Sequence, residues 1–313
     1  MKDNSLVPSN EIWYTTVDGK SLKLQGPIRS KVASNTYKKK EGKGVIVFNQ
    51  PIVEIENETF RRFTGLQEMI LPEGVTSIGD CSFAHCTGLQ EIVIPSSVTK
   101  IGHNAFYCCS GLQEVVIPEG VTSIGDGTFR GCAGLQEVVI PEGVTSIGDR
   151  AFAGCASLKS ITIPSSVTAF NCGDIYIRSV TGGYTLKEAG YCTSFNGCSS
   201  LESIVVVKGN PVYDSREGCN AIIETKTNSL ICGCKSTIIP ESVTEIKSGA
   251  FYERTSLESI VIPEGVMIIG TGAFTQCISL KDIVIPKSVQ KIDLGAFSEC
   301  TGLQEVVTPS SIT

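Results

Sequence analysis

The chain has 313 residues, with 26 lysines and arginines against 32 aspartates and glutamates, for a formal charge of −6. With Lys38, Lys39 and Lys40 as its single lysine run, it offers no basic stripe to a nucleic-acid backbone. No apolar stretch reaches the ~20 residues needed to span a bilayer.

The opening, Met1 to Trp13, lacks the apolar core of a signal peptide, leaving a cytosolic protein or the mature form of a longer precursor. Residues 1–45 read as an N-terminal cap. Glu11–Val17 and Lys20–Leu24 flank Asp18-Gly19, a pattern that predicts a β-hairpin. Trp13 and Tyr14 are expected to cover the end of the core, and Lys38–Lys40 to lie in a solvated turn. Gly44–Phe48 is read as the first strand to join the following stack.

From residue 46 the chain repeats. Phe60, Phe83, Phe106, Phe129 and Phe152 fall 23 residues apart, and Phe251, Phe274 and Phe297 resume that step. Each block runs Leu-x-x-Ile-x-Ile-Pro, a turn, Val-Thr-x-Ile-Gly, then Ala-Phe-x-x-Cys. Such a period with Leu-x-x-Ile-x-Ile inside it is a leucine-rich-repeat signature. The predicted fold is a β-rich right-handed solenoid of about ten 23-residue coils, with an N-terminal β-hairpin cap. Pro95 and its equivalents end each strand, and Gly102, Gly125 and Gly148 are expected to permit the bend toward the Phe segment.

The step from Phe152 to Phe195 is 43 residues, and the excess predicts an inserted hairpin near 171–191 turning at Gly182-Gly183. A second hairpin is predicted within 208–233, pairing Ala221–Glu224 with Ser229–Cys232. Regular coils then run to Pro309, and the chain stops inside a repeat at Ser310–Thr313. An open stack end of this kind invites pairing with another copy.

Of 14 cysteines, Cys86, Cys109, Cys132, Cys155, Cys198, Cys277 and Cys300 stand three residues after the repeat Phe or its equivalent. One column of like side chains is expected to hold buried free thiols. Cys81, Cys108, Cys172, Cys192, Cys219, Cys232 and Cys234 lie off that column, and a disulfide among them stays open.

The motif spanning Val98 to Pro118 and again Val144 to Pro164 resembles the BspA-like leucine-rich-repeat family of bacterial surface proteins. The resemblance implies a secreted or cell-surface protein that contacts host or neighbouring-cell proteins, extracellular-matrix proteins among them.

Chemistry is poorly supplied. The two histidines, His85 and His103, sit where other repeats carry Gly and Asp, and no metal cluster, phosphate loop or nucleophile elbow is present. No catalytic residue, cofactor or metal is expected. The candidate binding face is the outward side of the strands, where Glu68, Glu91, Glu114 and Glu137 run beside Val93, Val116, Val139, Val205 and Val261. A protein partner with basic and apolar groups would suit it; near-identical repeats copying one surface residue would produce the same columns. Tyr176, Arg178 and Tyr184 are the candidates on the inserted hairpin. The alternative function is a scaffold that only presents that hairpin.

Overall fold

The computed structural model describes residues 6–24, 26–171, 173–178 and 184–307, with the backbone alone for 26–27, 173–178 and 184–191. The chain forms two compact units, Met1–Cys155 and Ala156–Thr313, each a stack of short strands.

In the first unit, β1 (Glu11–Thr16) alternates buried Ile12, Tyr14 and Thr16 with half-exposed Glu11, Trp13 and Thr15, the period of a strand with one face on the core. β2 (Val32–Lys38) and β3 (Lys43–Phe48) form the cap's hairpin, with Lys39 and Lys40 exposed in its turn. β1 pairs antiparallel with β3 on one edge (Trp13 opposite Val45) and with β5 (Leu66–Ile70) on the other (Trp13 opposite Ile70). A hairpin is therefore present, but Lys20–Leu24 is not its second arm. The Asp18-Gly19 turn forms, with Gly19 at φ 61°. Thr16 Oγ1 then accepts from Lys20 N–H and donates to the Lys20 carbonyl, closing the turn with a side chain while β3 and β5 take both edges of β1. Nor does Gly44–Phe48 start the parallel stack. It is held outside β1, where Gly44 lets the Tyr14 ring lie flat on its backbone.

The parallel stack begins with β4 (Glu54–Ile55) and β5. β5 pairs in register with Glu91–Val93, as Glu114–Val116 does with Glu137–Val139, while β4, Ser77–Ile78 and Lys100–Ile101 make a second, shorter ladder. Identical coils translate identical side chains onto one another. Phe60, Phe83, Phe106, Phe129 and Phe152 accordingly stack fully buried, with centroids 5.3–5.4 Å apart. The thiols of Cys86, Cys109, Cys132 and Cys155 are free and buried, and each donates to the Phe carbonyl of the preceding coil: Cys109 to Phe83 at 3.0 Å, Cys132 to Phe106 at 3.1 Å. Burial pushes the Cys109 and Cys132 thiols well above their ordinary pKa, so they remain donors.

The glycine expectation is corrected in its cause. Gly102 and Gly148 have no left-handed φ; a Cβ would lie 2.6 Å from Asp80 N at Gly102 and 2.5 Å from Asp126 N at Gly148. They are glycine because the preceding coil's backbone passes there. The bends are made instead two residues either side of Phe, by left-handed Cys81, Asn104, Gly127 and Arg150 before it and His85, Cys108, Gly131 and Gly154 after it.

In the second unit, Gly173–Arg178 and Tyr184–Tyr191 form the predicted inserted hairpin, with Arg178 opposite Tyr184; its Gly182-Gly183 turn lies outside the described residues. Ala221–Glu224 and Ser229–Gly233 form the other. That one is part of the stack rather than an appendage, because Leu230 pairs in parallel with Ile246, and the ladder continues through Ile268–Ile269 to Lys291–Ile292. Asn210 fastens its approach with all four amide bonds: Nδ2 donates to the Pro164 and Val167 carbonyls, and Oδ1 accepts from Val212 and Tyr213 N–H. Phe251, Phe274 and Phe297 rebuild the aromatic stack, and Cys277 and Cys300 donate to Phe251 and Phe274. The terminal Ser310–Thr313 lies outside the described residues.

Candidate functional site

The longer strands present their odd positions outward. In the first unit Glu68 stands opposite Glu91, and Glu114 opposite Glu137, with Val115 and Val138 buried between outward residues. Val116 and Val139 are 42% and 57% exposed, and Glu114 and Glu137 are exposed beside them. Glu68, Glu91 and Val93 are half-buried, because β1 lies along β5 and extends the sheet over this end. The acidic and apolar columns are thus graded, open at Glu114–Val139 and shielded toward the cap. In the second unit Val205 (44% exposed) and Val261 (83% exposed) continue the apolar position, with Ser203 opposite Ser160 where the first unit has glutamates. The side chains of Tyr176, Arg178 and Tyr184 lie outside the described residues.

Trp13 belongs to this face, against the expectation that it fills the core. Its register opposite Ile70 turns it to the outward side, while Tyr14 takes the core place at 1% exposure. Lys43 Nζ sits 3.6 Å from the Trp13 ring centroid and Trp13 Nε1 donates to Glu11 at 2.7 Å. The alternation in Glu11–Thr16 carried this signal, since Trp13 and Tyr14 cannot share a face of one strand.

The histidines have structural roles. Asn57, Asp80, His103 and Asp126 each accept, through the side chain, the backbone N–H at the same place one coil on, over 2.7–3.0 Å. His103 does so through Nδ1, which fixes its hydrogen on Nε2. His85 packs edge-on against Tyr107, whose ring also faces Arg130. Among the described residues no group of His, Cys, Asp and Glu could hold a metal ion, and no helix is long and apolar enough to cross a membrane. A cavity of about 470 Å³ between the cap and the first coil is lined by Ile28, Phe48, Gln50 and Val53 among others, and the Lys31 and Glu56 on its wall are already joined as an ion pair.

One cluster was missed. Arg254 stands three residues after Phe251, the place of the column cysteines, and is 1% exposed. Gly233 takes the Phe place in the coil before: its N–H donates to Ala250 O at 2.9 Å as Phe129 N–H does to Ala151 O. The Phe251 ring of the next coil lies against this glycine, where a Cβ would come within 2.2 Å of it, and the arginine three residues on takes the donor role of the column cysteines. Its Nε donates to Gly233 O (2.8 Å), Nη1 to Phe195 O (2.7 Å), and Nη2 to Cys232 Sγ (3.5 Å). The hydrogen bond from Cys192, and then the Arg254 guanidinium, bring the Cys232 thiol down to about 7 against the pull of burial. An Arg at the place where the coils of Phe83, Phe106, Phe129, Phe152, Phe195, Phe274 and Phe297 carry Cys was the available signal.

Solved structures share the architecture. A leucine-rich cell surface protein of Faecalibacterium prausnitzii A2-165 is 24% identical, with TM-score 0.57, over 100% of this chain and 90% of that one. The pneumococcal vaccine antigen PcpA is 19% identical with TM-score 0.61, over 82% of this chain and 67% of that one. These likenesses show the fold. No curated protein matches the sequence. Residues 53–176 and 222–313 match the BspA type leucine-rich-repeat region in six copies, and the chain belongs to that family.

Proposed function

We propose that the chain is a non-catalytic protein-binding repeat protein of the bacterial surface or its surroundings, engaging an extracellular protein through the outward face of its longer strands. The observation that carries this reading is the run of exposed valines in register, Val116 and Val139 in the first unit, beside exposed Glu114 and Glu137. Exposed β-branched side chains in a row are an uncovered apolar surface, and the carboxylates beside them select a partner carrying Lys or Arg. Trp13 adds an aromatic anchor toward the cap. The surface location of the similar Faecalibacterium protein accords with this setting.

The test is capture of extracellular-matrix proteins by the immobilised chain, compared with a Val116→Asp/Val139→Asp variant and with a chain lacking residues 171–191. Binding by the strand face predicts a loss of about tenfold or more in the double variant and retention in the deletion. Retention in the double variant with loss in the deletion would instead support the scaffold that presents the hairpin.

A further inference from the structure

Arg254 is a guanidinium held inside the protein, and its surroundings are short of negative charge. Its partners at Gly233 and Phe195 are neutral carbonyls, and among the described residues no carboxylate reaches it. A buried cation without an anion costs several kcal/mol, and arginine does not escape by losing its proton. Cys232 Sγ, 3.5 Å from Nη2, is the neighbour placed to supply that charge. Its contact with the Gly233 carbonyl, at 3.9 Å, is too long to hold a thiol proton in place. Cys192 donates to the same sulfur, so Cys232 receives two donors. Cys234, by contrast, donates to Asn220 O at 3.3 Å, and burial raises its pKa. The geometry thus separates one acceptor sulfur from its neighbours, with a second thiol in contact with it.

We propose that Cys232 is carried as a thiolate paired with Arg254 and that, together with Cys192, it forms a site of oxidation by small hydroperoxides. The Cys232 thiolate attacks the outer oxygen of the hydroperoxide. The S–O bond forms as the O–O bond breaks, and the departing alkoxide or hydroxide takes a proton from water. Cys192 then loses its proton and attacks the sulfenic sulfur; the S–S bond forms, the S–O bond breaks, and the hydroxide leaves as water with that proton. Each sulfur is oxidised by one electron and the peroxide is reduced by two. Cys232 and Cys192 are 2% and 3% exposed, which restricts the oxidant to the size of hydrogen peroxide and excludes bulky disulfides.

The full chain supplies its own control, since Cys277 is equally buried and its thiol is pushed up to about 12 by burial. The experiment is a timed exposure to hydrogen peroxide at pH 7–8, followed by unfolding, alkylation and peptide mass spectrometry. Cys232 is expected to oxidise at least about a hundredfold faster than Cys277, reflecting their thiolate fractions, and to appear linked to Cys192. The rate should rise with pH to a plateau above about 7. In Cys192→Ser the same exposure should leave a dimedone-reactive sulfenic acid on Cys232, a result that does not depend on Arg254 variants folding. Oxidation of Cys232 no faster than that of Cys277, or linkage of Cys232 to Cys234, overturns the proposal.

Discussion

The Met1–Cys155 unit and the irregular coils around Arg254 meet the same demand with opposite chemistry. At Phe60, Phe83, Phe106 and Phe129, and again at Phe195, Phe251 and Phe274, the Phe carbonyl takes a side-chain donor from a later coil. In the first unit the donor is a neutral thiol whose burial keeps it protonated. In the second, where Gly233 stands in the aromatic place, the donor is a guanidinium that reaches carbonyls of two coils and adds to the Cys192 hydrogen bond in lowering the Cys232 thiol. The glycine in an otherwise aromatic column is thus covered by the Phe251 ring of the next coil, while the arginine takes over the carbonyl contacts and, after the Cys192 hydrogen bond, helps lower the Cys232 thiol.

The largest test of that contrast is Arg254→Ala. It leaves the buried Gly233 carbonyl without the guanidinium and takes one donor each from the Phe195 carbonyl, which keeps Cys198 N–H, and from the Cys232 sulfur, which keeps Cys192, with an expected loss of about 3–5 kcal/mol in denaturant unfolding. In the first unit Cys109→Val should cost only about 1 kcal/mol, and Cys109→Ser less, because the carbonyl keeps a donor in the second and already accepts Cys86 N–H in both. Between these lies Gly102→Ala, expected to cost about 2–3 kcal/mol by forcing coils apart at the Asp80 backbone. It should do so although the glycine is not left-handed.

The pH dependence separates the regions by sign. Cys232, lowered to about 7 from 9.0, holds fewer protons folded than unfolded between those values. Stability from it therefore grows as pH rises from about 7 to 9 and is lost as pH falls below about 7. The buried column thiols Cys132 and Cys277 are raised, so above about 9 the unfolded chain alone releases their protons and stability falls. Unfolding free energy measured from pH 6 to 10 should pass through a maximum near 9, and Cys232→Ala should remove the rise while leaving the fall. The smallest expected effect is at His103. His103→Ala removes one inter-coil acceptor, for about 1 kcal/mol, whereas His103→Asp restores the acceptor of the neighbouring coils and should match the parent.

What was legible in the sequence is what translation from coil to coil imposes. The Phe spacing announced the stack, and Phe-x-x-Cys announced a buried thiol column, because each was stated several times over. The cap was not repeated, and nothing local told that Glu11–Thr16 would be taken by β3 and β5 rather than by Lys20–Leu24. The glycines misled for a related reason: one sequence shows where glycine recurs, but close approach and left-handed φ leave the same mark. On the strand face the positions of Val116 and Val139 were readable and the shielding of Glu68 and Glu91 was not, since it comes from β1. Arg254 breaks the Phe-x-x-Cys column and could have been read from it, but was passed over. Its neighbours Cys232 and Cys192 could not be, because the longer steps around them erase the register that places them.

The direction of the inter-coil hydrogen bonds bears on how such a chain is made. On the short ladder, N–H groups reach back to the coil already present, as Thr99 does to Thr76 and Gly102 to Ile78. At the Phe turn they reach forward: Phe83 N–H waits for Ala105 O, and His85 N–H for Tyr107 O. The Phe83 carbonyl likewise waits for the Cys109 thiol. As the chain leaves the ribosome, each turn therefore stays half-bonded until the next 23 residues have emerged, and every coil is finished by its successor.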